Sequence, residues 1–269
     1  MKKKKKYTIF GHTGFLGQNI VGYLKKNNLN FFLPQKNRFI FSKNLNNIIY
    51  CIGVDNVFDD PLDSIEANLK ILSKIITKNK FESLLFVSTT RLYLNSNKTS
   101  ENDLININPN LKNYFFNSLK LAAENFCLSQ KNKKVKVVRM SNLYGNHFSK
   151  QKYLLPTLLR NSVNKKIIDI YINKKSKKNY LNVDDAIDVI FKVINKGKYR
   201  LYNIASDKLY TLDFIAKNIQ KITKCKIRYK NQKFRYDEPK INIKIIKKEF
   251  NFRPKNDFGE YLNKIVKKI

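Results

Sequence analysis

The sequence predicts an α/β protein: a doubly wound parallel sheet with a smaller C-terminal lobe. Three observations carry that expectation. Short apolar, β-prone runs alternate with amphipathic segments at helical spacing from residue 7 to about residue 146. The first of these runs meets three glycines spaced three apart, Gly11-x-x-Gly14-x-x-Gly17, and a helical pattern follows at once. A later run, 81–87, leads directly into Ser88-Thr89-Thr90, hydroxyls at the carboxyl end of a parallel strand, where open α/β sheets bind their ligands.

Residues 7–10 read as the first strand and 14–27 as the first helix. Gly11 can turn with positive φ, and a residue without Cβ lets a pyrophosphate approach the backbone. The helix beginning near Gly14 directs unpaired N–H groups at such a phosphate, and Gly17 lets it pack closely on the strand. The same residues also suit a plain strand-to-helix turn, since a glycine motif alone is a weak signal. Residues 30–33 form the second strand, after which Pro34-Gln35-Lys36-Asn37-Arg38 carries no acid to hold a ribose 2′-hydroxyl. Lys36 or Arg38 could meet a 2′-phosphate, favouring NADP over NAD; two solvated surface cations fit equally well. A buried-type strand at 48–52 ends at Gly53, where small residues let a cofactor lie across the strand ends.

Residues 61–78 read as one amphipathic helix with Ile65, Leu69, Leu72 and Ile76 on one side and Pro61 near its start. A helix over 111–129 carries Lys120 and Glu124, and a strand over 135–140 leads into Ser141-Asn142-Leu143-Tyr144-Gly145. Beyond about residue 146 the pattern changes. Helices are expected at 153–163, 183–194, 211–222, 241–249 and 257–268, and strands at 167–172, 199–205 and 226–229, with 230–240 as loop. Asp184 and Asp185 read as structural residues of a helix start. Residues 1–146 with about 178–206 are the expected dinucleotide-binding domain, and about 147–177 with 207–269 the substrate lobe.

Composition narrows the function classes. The formal charge of the 269 residues is +34, but lysine is spread along the whole chain and arginine is scarce. That pattern is a global bias, so no specific nucleic-acid partner is expected. The field still favours anionic ligands such as nucleotide diphosphates. Cys51, Cys127 and Cys225 are scattered, and only His12 and His147 accompany them, which argues against a metal site and for reduced thiols in the cytoplasm. The lysine run at residues 2–6 is not followed by an apolar signal core, and no run reaches the ~18 apolar residues of a membrane span.

Taken together, these motifs resemble the extended short-chain dehydrogenase/reductase family, in its nucleotide-sugar epimerase, dehydratase and ketoreductase branch. Gly11-x-x-Gly14-x-x-Gly17 is similar to that family's cofactor loop, and Val87-Ser88-Thr89-Thr90-Arg91-Leu92-Tyr93 to the segment bearing its catalytic Ser or Thr. Asn68 matches an asparagine of the preceding helix. Ser118-Leu119-Lys120-Leu121-Ala122-Ala123-Glu124 resembles the helix of the catalytic lysine, and Val138-Arg139-Met140-Ser141-Asn142-Leu143-Tyr144-Gly145 the strand leading to the second lobe. Tyr180 to Asp185 and Tyr202 to Ser206 match two later landmarks. The resemblance implies a Rossmann fold and an NADP or NAD cofactor held by Gly11, Thr13, Gly14, Phe15, Leu16, Gly17, Arg38, Cys51, Ile52, Gly53, Ser88 and Lys120. It implies a nucleotide-sugar substrate met by Thr90, Arg91, Tyr93 and Asn142, and a role in surface-glycan precursor metabolism. Relatives commonly pair as homodimers through two long helices; 61–78 and 111–129 could do so, or could be solvated.

The family's chemistry uses a tyrosine, its pKa lowered by a nearby lysine, to exchange a proton with the sugar oxygen while a Ser or Thr hydroxyl holds that oxygen. Thr89 and Lys120 match two of those roles. The tyrosine's place, one turn before Lys120, is held by Phe116, which can exchange no proton. Tyr114 is the expected substitute, although six residues put it about 120° from Lys120 around an ideal helix; Tyr93 is another. The branch's dehydratases add an Asp-Glu pair where Thr90 and Arg91 stand, so an epimerase or 4-ketoreductase is expected rather than a dehydratase. A cofactor-binding relative with lost or altered redox chemistry is the alternative.

Overall fold

The computed structural model of the chain describes residues 5–35, 44–53, 60–111, 114–145 and 153–265. β1 (Lys6–Phe10) passes through the glycine turn into α1 (Phe15–Lys26), followed by β2 (Asn30–Phe32) and β3 (Asn47–Tyr50). Helices α2 (Pro61–Ile65) and α3 (Ile71–Lys78) are joined by a π-helical turn over Glu66–Lys70. β4 (Ser83–Thr89), α4 (Tyr114–Ser129) and β5 (Val135–Met140) continue the alternation. Then come β6 (Asn142–Tyr144), α5 (Leu154–Asn164), β7 (Ile167–Ile170), β8 (Lys177–Lys178), β9 (Tyr180–Asn182), α6 (Val183–Lys196) and β10 (Leu201–Ile204). β11 (Tyr210–Thr211), α7 (Leu212–Thr223), β12 (Lys226–Tyr229), α8 (Lys244–Phe250) and α9 (Phe258–Ile265) complete the described chain.

Six strands form one sheet in the order β10-β5-β4-β3-β1-β2, every neighbouring pair parallel. The chain steps from β1 to β2 on one side, then crosses to β3 on the other. This reversal opens a crevice at the carboxyl ends of β1 and β3, where Gly11 and Cys51 stand. Side chains of period two divide between the two faces of the sheet. Ile9, Ile49, Leu85 and Val138 pack with Ile20, Leu24, Ile187 and Ile190 on the α1 and α6 side. Phe10, Ile48, Tyr50, Leu84 and Phe86 pack with Leu72, Ile75, Ala123 and Cys127 on the α3 and α4 side. A third apolar cluster joins Tyr144, Leu155, Leu158, Ile168, Leu212, Ile215 and Phe258. It is organised by the parallel pair β7 and β12. The pairs β6–β9 and β8–β11 are too short to show a hydrophobic period, and the sequence reading missed all four strands.

Several expectations need correction. The expected single helix over 61–78 carries the π turn, whose extra residue shifts the buried stripe. Ser64, Ala67 and Asn68 face inward, whereas Ile65 is 39% exposed. Tyr50 reaches this turn from the sheet, donating to the Ala67 carbonyl. Asn182, rather than either aspartate, caps α6 by accepting from Asp184 N–H at 2.8 Å. Asp185 is structural in another way: its Oδ2 accepts the N–H groups of Lys255 and Asn256, both at 3.1 Å, tying the C-terminal segment to α6. The described part of α4 is Tyr114–Ser129, and Leu111, its expected start, is not helical. No described helix is long and apolar enough to cross a membrane, and the described residues hold no metal-ligand cluster.

Candidate active site

The glycine turn is shaped by close backbone approach. Gly11 has φ +86°, and a Cβ there would lie 2.6 Å from the Cys51 carbonyl carbon. A Cβ on Gly17 would lie 2.1 Å from Gly11 O. Gly14 caps α1 without a side chain, and no acid stands in the helix's first turn. The positive end of α1 therefore meets the crevice uncompensated by any carboxylate of its own, a cradle that fits a dinucleotide's diphosphate. Thr13 and Gly14 are exposed and Phe15 and Leu16 half-buried around it. Cys51 sits across the crevice, its N–H and its thiol both donating to Phe10 O at 2.9 and 3.1 Å. Burial pushes the thiol up to about 12, so it stays protonated rather than nucleophilic. Ile52 packs on the α3 and α4 side, and Gly53 is exposed with open space around it. Lys36 and Arg38 lie outside the described residues.

Lys120 projects from α4 onto the carboxyl end of β4. Its Nζ donates to Val87 O at 3.1 Å and lies 4.8 Å from the Phe86 ring centre and 5.8 Å from that of Phe116. Glu124 does not neutralise it by contact, because Arg139 binds that carboxylate through Nε and Nη2 at 2.7–3.1 Å. Burial pulls the Lys120 ammonium down to about 8, with Glu124 opposing. Thr89, half-buried, accepts from Arg91 N–H at 3.1 Å and so caps the 3₁₀ turn Thr90–Tyr93; its own proton remains available to a ligand oxygen. The buried Ser88 hydroxyl has no partner among the described residues.

The structure separates other expected site residues. Phe116 stands beside Lys120, and the Arg91 guanidinium lies 5.2 Å from the same ring. Tyr114 turns elsewhere: its hydroxyl accepts from Asn95 Nδ2 at 2.8 Å. Tyr93 cannot serve as a proton donor in the cleft, because it is fully buried. Its oxygen accepts from Arg139 Nη1 at 2.6 Å and lies 3.0 Å from both Asn203 Oδ1 and Ser100 O, either of which can take its proton. Thr90 is turned inward to Met140 O. Asn142 is already engaged, its Nδ2 donating to Asn179 O at 2.9 Å and Glu238 Oε2 at 2.8 Å.

The sequence reading missed a wall of this cleft. Lys178 pairs with Glu238 at 3.1 Å and lies 3.8 Å from the Tyr236 ring centre. Tyr236 hydrogen-bonds Arg91, and burial pushes its phenol up to about 12. Residues 236–238 are an irregular segment without periodicity, so pattern reading leaves them as loop. The available signal was chemical: Asp237-Glu238 are adjacent acids in a chain with only 20.

The description "NAD dependent epimerase/dehydratase family" belongs to the family model that matches residues 7–205. The dTDP-D-glucose 4,6-dehydratase of Dictyostelium discoideum is 26% identical over 272 residues, covering 81% of this chain and 62% of the relative. The chain thus spans less than two thirds of that curated relative's length. Among solved structures, dTDP-glucose 4,6-dehydratase from Bacillus anthracis in complex with NAD superposes with TM-score 0.75 at 20% identity, covering 98% of this chain and 96% of that one. RMD from Pseudomonas aeruginosa complexed with NADPH gives 0.75 at 16%, covering 98% and 99%. UDP-glucose 4-epimerase from Thermotoga maritima with UDP-glucose gives 0.74 at 16%, covering 97% of each chain. At such identities the structural likeness speaks for the fold. The family match runs from the first strand through the last strand of the central sheet, and on that extent the chain belongs to the NAD dependent epimerase/dehydratase family.

Proposed function

We propose that the chain binds NADP or NAD across the carboxyl ends of β1 and β3 and exchanges a hydride between it and a carbon of a nucleotide-linked sugar, as an epimerase, which returns the hydride, or a 4-ketoreductase, which consumes NADPH or NADH. The observation that carries this reading is Lys120, a buried ammonium held at the carboxyl end of β4 beside the crevice, with one hydrogen bond to Val87 O and no contacting carboxylate among the described residues. Such a cation costs stability unless a ligand uses it. The nicotinamide, when bound, supplies hydride exchange. Gly11, Gly14 and Gly17 hold the diphosphate, and Lys120 orients the ribose. Thr89 donates a hydrogen bond to the sugar oxygen, and Tyr114 is the candidate proton donor, a role that requires its hydroxyl to leave Asn95 and turn into the cleft. Thr90 and Arg91 in place of an acid pair disfavour water elimination. The division into a dinucleotide domain and a substrate lobe belongs to the same proposal. So does a homodimer, whose contact would involve Leu62, 76% exposed, and Ile65 on α2.

A second reading is favoured by Phe116, whose ring lies beside Lys120 where the family's phenol would stand: a protein that binds both ligands but has lost or changed the redox step. Titration with NADH and NADPH, followed by assay against nucleotide sugars, separates the two. Turnover by the wild-type chain supports the enzyme and excludes the second reading. Binding without turnover, with Phe116→Tyr gaining at least about tenfold in rate, supports the second. No affinity for either dinucleotide overturns both.

A further inference from the structure

We infer that the sugar accepted by this cleft carries a carboxylate and that Arg91 recognises it. The inference rests on the nucleotide-sugar reading and narrows it to sugars of the uronic acid class. Arg91 is fixed before any ligand arrives. Its N–H donates to Thr89 Oγ1 at 3.1 Å, and its carbonyl accepts from Asn117 Nδ2 at 3.1 Å. Its guanidinium lies 5.2 Å from the Phe116 ring centre, and Lys120 Nζ lies 5.8 Å from the same ring. Both cations therefore lie against one aromatic side chain, and the Arg91 backbone is bonded to Thr89, so the guanidinium belongs to the same cleft as the two groups proposed to surround the reacting carbon.

The guanidinium is held but not neutralised. Its Nε is buried and has no hydrogen-bond partner, and Arg91 makes no ion pair among the described residues. Its side-chain neighbour is the Tyr236 phenol, which stays neutral at physiological pH. The nearby carboxylate, Glu238, is saturated by Lys178 Nζ at 3.1 Å, Asn142 Nδ2 at 2.8 Å and the Asn179 N–H at 2.8 Å. Elsewhere Arg139, Arg228 and Arg235 each hold a carboxylate, of Glu124, Asp169 and Asp237. Arg200, without a carboxylate, gives Nε, Nη1 and Nη2 to the carbonyls of Val135, Leu128 and Cys127, whereas Arg91 leaves its Nε unmet, in a chain where lysine fills most cationic positions. A planar donor fork with a buried unmet N–H suits a bidentate carboxylate, and leaving it unmet costs free energy.

The test is a calorimetric comparison on the full chain saturated with NADH or NADPH. UDP-glucuronate is compared with UDP-glucose, and glucuronate 1-phosphate with glucose 1-phosphate, so that the base does not decide the outcome. The acidic sugar of each pair is expected to bind about thirtyfold tighter, the scale of a hydrogen bond to a charged group. Arg91→Met should abolish that preference, and Arg91→Lys should retain part of it. Equal affinities in the wild-type chain overturn the inference, as does a preference that survives in Arg91→Met. So does an Arg91→Met loss shared equally by UDP, UDP-glucose and UDP-glucuronate, which would assign the guanidinium to the diphosphate. If NADH binds but no sugar compound does, the nucleotide-sugar reading itself falls and the inference with it. Binding of neutral and acidic sugars alike leaves that reading standing and removes only the carboxylate.

Discussion

Lys120 is where the demands of stability and of chemistry oppose each other. Its side chain is 5% exposed, and burial lowers its pKa from 10.5 to about 8. Between those values the folded chain binds fewer protons than the unfolded chain, so stability rises with pH through that window. Below about pH 8 the ammonium is charged in both states, and its desolvation costs on the order of 3 kcal/mol. Lys120→Met is therefore expected to melt a few degrees higher at pH 7, with the gain shrinking towards pH 10, and to lose dinucleotide-dependent turnover. Thermal melts across that range decide it; an unchanged melting temperature at pH 7 would mean that Val87 O and the two aromatic rings offset the desolvation. Lys120, Thr89 and Phe116 were all legible from the resemblance of their segments to the family's motifs. The fate of Tyr93 was not, because its burial depends on Arg139 and Asn203, which lie 46 and 110 residues away in sequence.

Among the elements, the strand-turn-helix unit at the N-terminus is the most constrained by sterics. Gly17→Ala would place Cβ 2.1 Å from a backbone oxygen, which no rotamer change can relieve. A loss of about 1–3 kcal/mol and of dinucleotide affinity is expected. Gly22→Ala, on the same helix, meets nothing within 4 Å and is exposed. It is expected to gain about 0.5–1 kcal/mol with affinity unchanged. Denaturant unfolding and NADH titration of the pair distinguish a packing demand at the turn from a general dislike of side chains on α1. This unit was readable because its signals are local. The helix over 61–78 was misread in its middle: apolar spacing assumes 3.6 residues per turn, and the π turn at Glu66–Lys70 breaks that period.

Across the whole molecule, a few long-range contacts hold the C-terminal segment to the parallel sheet. Asp185 receives two backbone N–H groups, from Lys255 and Asn256, while 5% exposed. Asp185→Ala strands both donors and should cost about 2–3 kcal/mol, read from chemical denaturation, with faster hydrogen exchange around residues 255–257. If stability and exchange stay unchanged, the loop is held by other contacts. The +34 charge was the loudest compositional number and the least informative about the cleft. What matters there is which cations have carboxylates and which do not.

By itself, the sequence determined the alternating α/β order, the glycine turn, and the presence of Thr89 and Lys120 with a phenylalanine between them and the expected phenol chemistry. Each of these is written in neighbours within one or two turns of chain. The tertiary structure alone decided that Tyr93 and Asn142 are bound into other networks, that residues 236–238 wall the cleft, and that Arg91 keeps an unmet donor. Those outcomes depend on burial and on pairings across the fold, which local spacing does not encode.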